Sequence, residues 1–225
     1  MIKRIRTDLR KRVDLIPLRK STITSISELL WDVRLKIRTC GRDASHSDED
    51  RYPYEPTPYS VLARLADSGY ITRKNLLLDD GCGKGRVGFF LSQMTGCSCV
   101  GIEMDAGFYR SAKQNREKAI SKSKVRLVRR RAEEYEIPAK VDAIYFFNPF
   151  SVEILEKVME RVRESFFKTP RRILFFFYYP SDEYVSYLMT IEEMVFLDEI
   201  DCSDLFEGRN RRERILIFEW QLYEI

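Results

Sequence analysis

The sequence lacks long apolar runs, an apolar leader segment and any clustered cysteine or histidine motif. No stretch approaches the roughly 20 apolar residues that a membrane-spanning helix needs, and Met1–Arg6 is charged where a signal peptide is apolar. His46 is the single histidine and the five cysteines include no C-x-x-C pair, which excludes the usual zinc motifs. We therefore expect a cytoplasmic protein with free thiols, no membrane segment and no metal site.

Neither positive nor negative charge is in large excess over the whole chain, but the positive charges are concentrated near the N-terminus. The formal net charge of the 225 residues is +4, which by itself indicates no partner. The first 42 residues nevertheless carry twelve basic side chains against four acidic ones. The length and the 44% hydrophobic content suit one domain with an appendage. We expect residues 1–50 to form a basic helical N-terminal extension and linker, and residues 51–225 to form the main domain.

Two helices are expected in this extension, one before Pro17 and one that begins near Thr22 or Ser25. The second helix has an apolar stripe at helical spacing, formed by Ile26, Leu29, Leu30, Val33 and Ile37. The stripe could pack on the main domain or, with its basic flanks, help to bind an anionic partner. Packing is the favoured alternative.

The most informative stretch runs from Leu76 to Asp105. Its pattern predicts a buried strand, an acid, a glycine-rich turn, an apolar helix and a second strand that ends in another acid. Glycine lets the backbone turn sharply and approach a ligand closely, and a carboxylate after the second strand suits the hydroxyls of a ribose. In order, the parts are Leu76–Leu78, Asp79, Gly81, Gly83, Gly85, the helix with Val87, Phe89, Phe90 and Leu91, the strand Cys97–Ile102, and Glu103.

Two common nucleotide motifs do not fit this turn. The dinucleotide fingerprint G-x-G-x-x-G would require glycine where Arg86 stands. The P-loop requires Ser or Thr after a Gly-Lys pair, and Gly83-Lys84 is followed by Gly85. A tight turn in some other α/β domain stays open as an alternative.

The turn resembles the D-x-G-x-G-x-G motif of the class I S-adenosylmethionine-dependent methyltransferases, with Asp79, Gly81, Gly83 and Gly85 in its fixed positions. The resemblance implies S-adenosylmethionine as cofactor and S-adenosylhomocysteine as product. It also implies that Asp79 binds the amino-acid end of the cofactor and Glu103 binds its ribose. Cys82 and Met104, next to these residues, are implied contacts of the cofactor.

The resemblance implies further residues that bind the cofactor or the acceptor, because they follow particular strands of the family's fold. In the family, the loop after the third strand holds the adenine, which here assigns Ala132 and Glu133. The segment Tyr52–Ser60, before the first strand, either closes over the cofactor or packs at the domain edge. Its Pro56-Thr57-Pro58 also looks like a segment of some protein-lysine methyltransferases.

Asn148-Pro149-Phe150 follows the fourth strand, where the family's loop faces the transferable methyl group. Enzymes that methylate planar nitrogens carry Asn or Asp, two prolines and an aromatic residue there, and this chain lacks the second proline. Asn148 is expected to orient the acceptor and to border the cofactor, while Phe150 and Tyr179 shape the acceptor slot. The alternative is that Asn148 caps the helix that begins at Ser151.

The resemblance implies a Rossmann-like, doubly wound α/β fold with a mostly parallel seven-stranded sheet and an antiparallel last strand. The remaining predicted strands are Val125–Val128, Val141–Phe147, Arg172–Tyr178, Met194–Cys202 and Arg214–Trp220. A methyltransferase acting on a protein lysine is the first expectation for function. RNA, a small molecule, or cofactor binding without catalysis remain as alternatives, RNA because of the basic extension and the arginine loops.

Overall fold

A computed structural model describes residues 20–41 and 54–221, and these form a seven-stranded sheet with helices on both faces. The strand order is β3-β2-β1-β4-β5-β7-β6, and only β7 runs antiparallel to its two neighbours. The strands are β1 Leu76–Asp80, β2 Ser98–Glu103, β3 Val125–Arg129, β4 Ala143–Phe146, β5 Ile173–Tyr178, β6 Met194–Asp201 and β7 Arg214–Trp220. The predicted fold class is therefore confirmed, including the antiparallel last strand.

Six α-helices lie among the described residues, and they divide between the two faces. They are α1 Lys20–Leu35, α2 Tyr59–Asp67, α3 Arg86–Thr95, α4 Ala106–Lys118, α5 Val152–Lys168 and α6 Asp182–Leu188. Short 3₁₀ helices span Ala132–Glu134 and Ser203–Leu205. No helix of the described part of the chain is long and apolar enough to cross a bilayer.

The sheet separates two apolar cores. Leu77, Tyr145 and Phe176 face the core shared with α1, α2 and α3, while the neighbouring Leu78, Ile144 and Phe175 face the core shared with α5 and α6. Successive strand residues alternate between faces, so a strand that is covered on both sides must be apolar along its whole length. The continuous run ILFFFY of β5, buried at all six positions, has this character.

The first strand is longer than predicted, and the difference affects the site. The strand expected at Leu76–Leu78 continues to Asp80, so that both Asp79 and Asp80 belong to β1. Their backbone groups pair with β2 at Gly101 and Ile102. Two carboxyl groups are thereby held on a rigid strand, on opposite faces of the sheet.

Helix α1 presents a different face to the domain from the one predicted. Of the expected stripe, Ile37 is buried, whereas Ile26, Leu29, Leu30 and Val33 are 44–74% exposed. Instead, the Trp31 ring meets the edge of Phe90 at 5.1 Å, and Leu35 is buried. Packing of the whole stripe was therefore a wrong expectation, and electrostatics explains the difference.

The inward face of α1 supplies carboxylates to a buried arginine. Arg86 opens α3 and is 3% exposed; it forms ion pairs with Glu28 and with Asp32, the latter at 3.9 Å from nitrogen to oxygen. Its Nε also donates to Thr39 Oγ1 (2.7 Å), and one terminal nitrogen donates to the carbonyl of Thr57 (3.1 Å). An unpaired buried guanidinium would be costly, so α1 is oriented by its acids rather than by its aliphatic stripe.

The first prediction concerns this buried arginine. Arg86→Met removes the positive charge and leaves two carboxylates without their partner. We expect a loss of about 3–5 kcal/mol in the free energy of unfolding. At about 2–4 °C per kcal/mol for a chain of this size, the melting temperature should fall by roughly 6–20 °C.

Arg172→Met is the matched control. Arg172 is 60% exposed and pairs with Glu219 at 2.9 Å, so its loss should cost less than about 1 kcal/mol. Thermal unfolding followed by circular dichroism measures both variants. Equal shifts for the two would show that the buried network does not hold α1.

Candidate active site

The polar residues singled out in the sequence converge on one pocket at the carboxyl ends of the parallel strands. The chain order reverses at β1, since β2 and β3 lie on one side of it and β4 and β5 on the other. Such a switch point is where open α/β sheets bind ligands. The pocket is lined by residues from five segments, within 54–57, 79–87, 102–108, 130–133 and 145–154.

The bend after β1 is narrow because two glycines lack side chains. Gly81 has φ +82°, and a Cβ on it would lie 2.4 Å from the Cβ of Pro149. Gly83 has φ +54°, and a Cβ there would lie 2.4 Å from the ring of Tyr54. Only glycine fits both the left-handed backbone and the close neighbours, so the predicted roles of these two residues have a steric cause.

Glu103 holds this bend in place. Its Oε2 accepts from the backbone N–H of Gly83 (2.9 Å), and its Oε1 accepts from the N–H of Asp105 (2.7 Å). Each carboxylate oxygen can accept a second hydrogen bond, so the group remains able to bind ribose hydroxyls. Burial raises the pKa of Glu103, against the lowering effect of these two hydrogen bonds.

Asp79 and Asp80 are buried carboxyl groups at the floor of the pocket, 3% and 2% exposed. Burial, reinforced by the nearby charges of Asp80 and Glu103, raises the pKa of Asp79 to about 8. Burial, with Glu133 and Glu103 nearby, raises the pKa of Asp80 to about 7. Asp79 Oδ2 and Asp80 Oδ1 have no hydrogen-bond partner among the described residues.

The other implied cofactor residues also border the pocket. Cys82 is buried, and burial raises the pKa of its thiol well above the ordinary value, so it remains protonated and serves as a packing group. Met104 follows β2 and lies in the wall next to Glu103. Ala132 and Glu133 form the start of the 3₁₀ helix after β3 and make the opposite wall.

Gly85 serves the bend indirectly. It is the residue before α3, with φ +86°, and it does not itself line the pocket. Its amide N–H donates to the carbonyl of Cys82 (2.8 Å), which closes the turn into the helix. The third glycine of the motif therefore shapes the loop.

Asn148 lies at the mouth of the pocket in a left-handed conformation, φ +38°. Its Nδ2 donates to the carbonyl oxygen of Tyr179 (2.6 Å), and its Oδ1 is buried without a hydrogen-bond partner among the described residues. Tyr179 also has a positive φ, +52°. Strained non-glycine backbone costs about 1–3 kcal/mol and is concentrated at functional sites. The side chain of Asn148 does not cap α5, whose N-cap is Ser151.

The aromatic residues predicted at the mouth differ in position. The ring of Phe150 packs edge-on against Phe146 at 6.2 Å, and the residue is 5% exposed in the core below α5 while bordering the pocket. Tyr179 is half-buried and its carbonyl holds Asn148, but its side chain does not line the pocket, so the expectation that it shapes the acceptor slot was wrong. Phe147, which the sequence reasoning did not select, lines the pocket and stands next to Tyr178 at 4.7 Å between ring centres.

The segment at residues 54–57, which precedes α2, also lines the pocket. Tyr54 packs on Phe108 (5.0 Å between ring centres) and donates its hydroxyl to the carbonyl of Thr39 (2.8 Å). Thr57 is held by Arg86 and by the hydroxyl of Tyr145 (3.0 Å). The sequence predicted a role for this segment but not for Arg86, which holds it in place. An arginine after a glycine turn is usually exposed, and nothing in the neighbouring sequence indicates that this one is buried.

The residues present fit S-adenosylmethionine. Unpartnered buried oxygens cost about 1–3 kcal/mol each, and Asp79 and Asp80 offer such oxygens to the ammonium, hydroxyl or amino donors of a ligand. The glycine bend leaves space where side chains would otherwise stand. Fold and pocket together define a Rossmann-like domain built for a cofactor with an amino-acid end and a ribose.

Comparison with known proteins agrees with this assignment. A family model described as a methyltransferase domain matches residues 77–168. No curated protein matches the sequence. A human methyltransferase 10 domain containing protein shares 14% identity, with 91% of this chain and 99% of that chain covered and a TM-score of 0.55.

Two further solved structures show the same fold. A proposed RNA methyltransferase from Pyrococcus horikoshii shares 13% identity over 92% of this chain and 100% of its own, with a TM-score of 0.56. A precorrin-6y C5,15-methyltransferase from Geobacter metallireducens shares 16% identity over 74% of this chain and 90% of its own, with a TM-score of 0.53. At these identities the likeness establishes the fold alone. Residues 77–168 therefore match a methyltransferase domain, and the described residues around them have the fold of the compared methyltransferases.

The second prediction concerns the pH dependence of cofactor binding. The raised pKa of about 8 means that Asp79 is mostly protonated at pH 7 without ligand, whereas the ammonium of the cofactor requires the carboxylate. Affinity should therefore fall as pH falls from 8 to 6, by up to about tenfold per pH unit, with Asp80 and Glu103 coupled to the same titration. Calorimetric titration with S-adenosylmethionine at each pH measures this. An affinity independent of pH over this range would contradict it.

The third prediction uses Asp79→Asn. Loss of the charge should weaken cofactor binding by about 1.5–3 kcal/mol, roughly 10- to 150-fold, at pH 8. The same change should stabilise the ligand-free protein at that pH. A carboxyl whose pKa is raised by folding binds more protons folded than unfolded between about pH 4 and 8, so stability falls as pH rises through that interval. A higher melting temperature than wild type at pH 8, with little difference at pH 4, is expected.

Proposed function

We propose that this methyltransferase transfers its methyl group to a nitrogen atom that carries at least one hydrogen, and that Asn148 holds this nitrogen. The observation that carries the proposal is the state of the Asn148 amide. Its Nδ2 is used by the Tyr179 carbonyl, so its buried Oδ1 is left as an acceptor with no described partner. An N–H donor from a substrate would satisfy that oxygen.

The surroundings of Asn148 favour nitrogen over oxygen as the nucleophile. Asn148 is joined to the Tyr179 carbonyl, and the Tyr179 hydroxyl accepts from Asn210 (2.8 Å). None of these groups is a base at neutral pH. A hydroxyl acceptor needs a base to remove its proton before or during transfer, whereas an amino nitrogen reacts through its own lone pair.

Methyl transfer from a sulfonium to a nitrogen requires mainly that the two reacting groups are held in the correct relative position. S-adenosylmethionine, when bound, supplies an activated methyl group on a sulfonium. The N–CH₃ bond forms as the S–CH₃ bond breaks, the electron pair of the broken bond stays on sulfur, and the proton of the nitrogen leaves to water. Asn148 orients the nitrogen, Phe147 lines the pocket beside it, and residues 54–57 cover part of the pocket and so reduce the access of water.

A protein lysine as the acceptor has little support. That expectation came from Pro56-Thr57-Pro58 and Asn148. The contacts of Thr57 are structural, to Arg86 and Tyr145, and Asn148 suits any nitrogen that carries a hydrogen. The nitrogen proposal does not require a protein. Incubation with labelled S-adenosylmethionine and a cell lysate, fractionated into protein, nucleic acid and small molecules, identifies the class of acceptor.

The fourth prediction tests the role of Asn148. Asn148→Ala should lower kcat by roughly 10²- to 10³-fold, the size found for loss of one donor or acceptor at a reacting group, and should change the Kd for S-adenosylmethionine less than about twofold. Gln93→Ala, which removes an exposed amide near the end of α3, should change neither. Unaltered kcat in Asn148→Ala, or labelled product carrying the methyl group on oxygen, would overturn the proposal.

A further inference from the structure

The loop of residues 206–213, here called the arginine loop, lies beside the mouth of the pocket. It joins the 3₁₀ helix after β6 to β7, and β7 pairs antiparallel with β5 so that Tyr178 is opposite Ile215. The beginning of β7 and the loop before it are thereby placed at the carboxyl edge of the sheet. Asn148 and Tyr179 lie at the same edge, after β4 and β5.

The arginine loop is fixed to Tyr179 by two contacts and to the adjacent Pro180 by a third. Asn210 Nδ2 donates to the Tyr179 hydroxyl (2.8 Å), the guanidinium of Arg212 lies 4.6 Å from the centre of the Tyr179 ring, and Arg212 Nε donates to the carbonyl of Pro180 (3.4 Å). Because the Tyr179 carbonyl in turn holds Asn148, the loop and the acceptor-binding amide form one connected unit.

Two arginines of this loop carry charge that no described acid neutralises. Arg209 and Arg211 are exposed, and neither has a carboxylate within ion-pair distance among residues 20–41 and 54–221. Other arginines of the surface are paired, such as Arg64 with Asp204, Arg163 with Glu193 and Arg214 with Glu199. Arg209 and Arg211 therefore place unneutralised positive charge next to the acceptor mouth.

The other side of the mouth is basic as well. Arg130 follows β3, is exposed and lines the pocket. It lies five strand positions from β7 in the sheet order, a distance of about 24 Å at 4.8 Å per strand. A chain lying along this edge could meet a positive charge on both sides of Asn148, with the half-buried Tyr179 ring between them.

We propose that the acceptor is a base of a single-stranded nucleic acid whose phosphates bind Arg209 and Arg211. This inference deepens the proposed function, since the nitrogen held by Asn148 would belong to that base. Unpaired cations beside an aromatic ring are the combination with which proteins bind single strands, through phosphate contacts and base stacking. A base to be methylated must also leave the stack to reach the pocket, which a single strand permits at least cost.

The test measures binding of the full-length chain to a fluorescent 20-nucleotide RNA of mixed sequence, to DNA of the same sequence and to polyglutamate, between 50 and 200 mM salt. Each phosphate contact on a single strand contributes about 0.7 to the slope of log K against log salt. The double variant Arg209→Gln/Arg211→Gln should therefore reduce the slope by about 1.4 and weaken binding. Tighter binding to RNA than to DNA would identify the strand through its 2′-hydroxyls.

Arg73→Gln/Lys74→Gln is the matched control. These two residues are exposed in the turn before β1, at the opposite edge of the sheet, and their loss should leave slope and affinity unchanged. Nucleic-acid binding that is equal in wild type and the loop variant would overturn the proposal, as would polyglutamate binding equal to that of RNA, which would indicate a protein partner.

The lysate experiment separates this proposal from the one above. Methyl label on nitrogen in the protein fraction would leave the role of Asn148 intact and eliminate the nucleic acid. Methyl label on a ribose oxygen of RNA would support the binding surface and eliminate the nitrogen acceptor. Label on a base nitrogen supports both.

Discussion

The site depends on the burial of three carboxyl groups around one turn of backbone. Asp79, Asp80 and Glu103 are at most 9% exposed, and no described cation pairs with the first two. Burial without a counter-charge raises their pKa values and costs stability in the free protein. A cationic ligand relieves part of that cost, so the same residues that weaken the empty fold favour the cofactor.

Around this turn the fold supplies rigidity from both sides. Glu103 fixes the bend through the amides of Gly83 and Asp105, and Pro149 and Tyr54 occupy the space that side chains at Gly81 and Gly83 would need. Arg86 connects the start of α3 to α1 and to the segment at 54–57. The N-terminal helix thus supports the wall of the pocket without lining it, because its acids neutralise Arg86, which the domain buries and which does line the pocket.

On the side of the pocket that we propose binds the acceptor, the backbone is strained and a buried polar group has no described partner. Asn148 and Tyr179 both have positive φ, and the hydrogen bond between them uses the donor of the amide and leaves its oxygen. The arginine loop continues this unit into a basic surface. One connected set of contacts would then position both the base nitrogen of the proposed nucleic acid and its neighbouring phosphates.

Local sequence alone determined the alternation of strands and helices, the glycine bend, and the acids at 79 and 103, since periodicity and conformational restriction act over a few residues. It also gave the antiparallel last strand through the family resemblance. Tertiary structure decided the face of α1, the anchoring role of Arg86, the extension of β1 to Asp80, and the place of Phe147 at the mouth. These features depend on contacts between residues that are far apart in the sequence. Arg86, for example, contacts Thr57 and Glu28, which lie 29 and 58 positions away. A local sequence pattern does not encode such contacts.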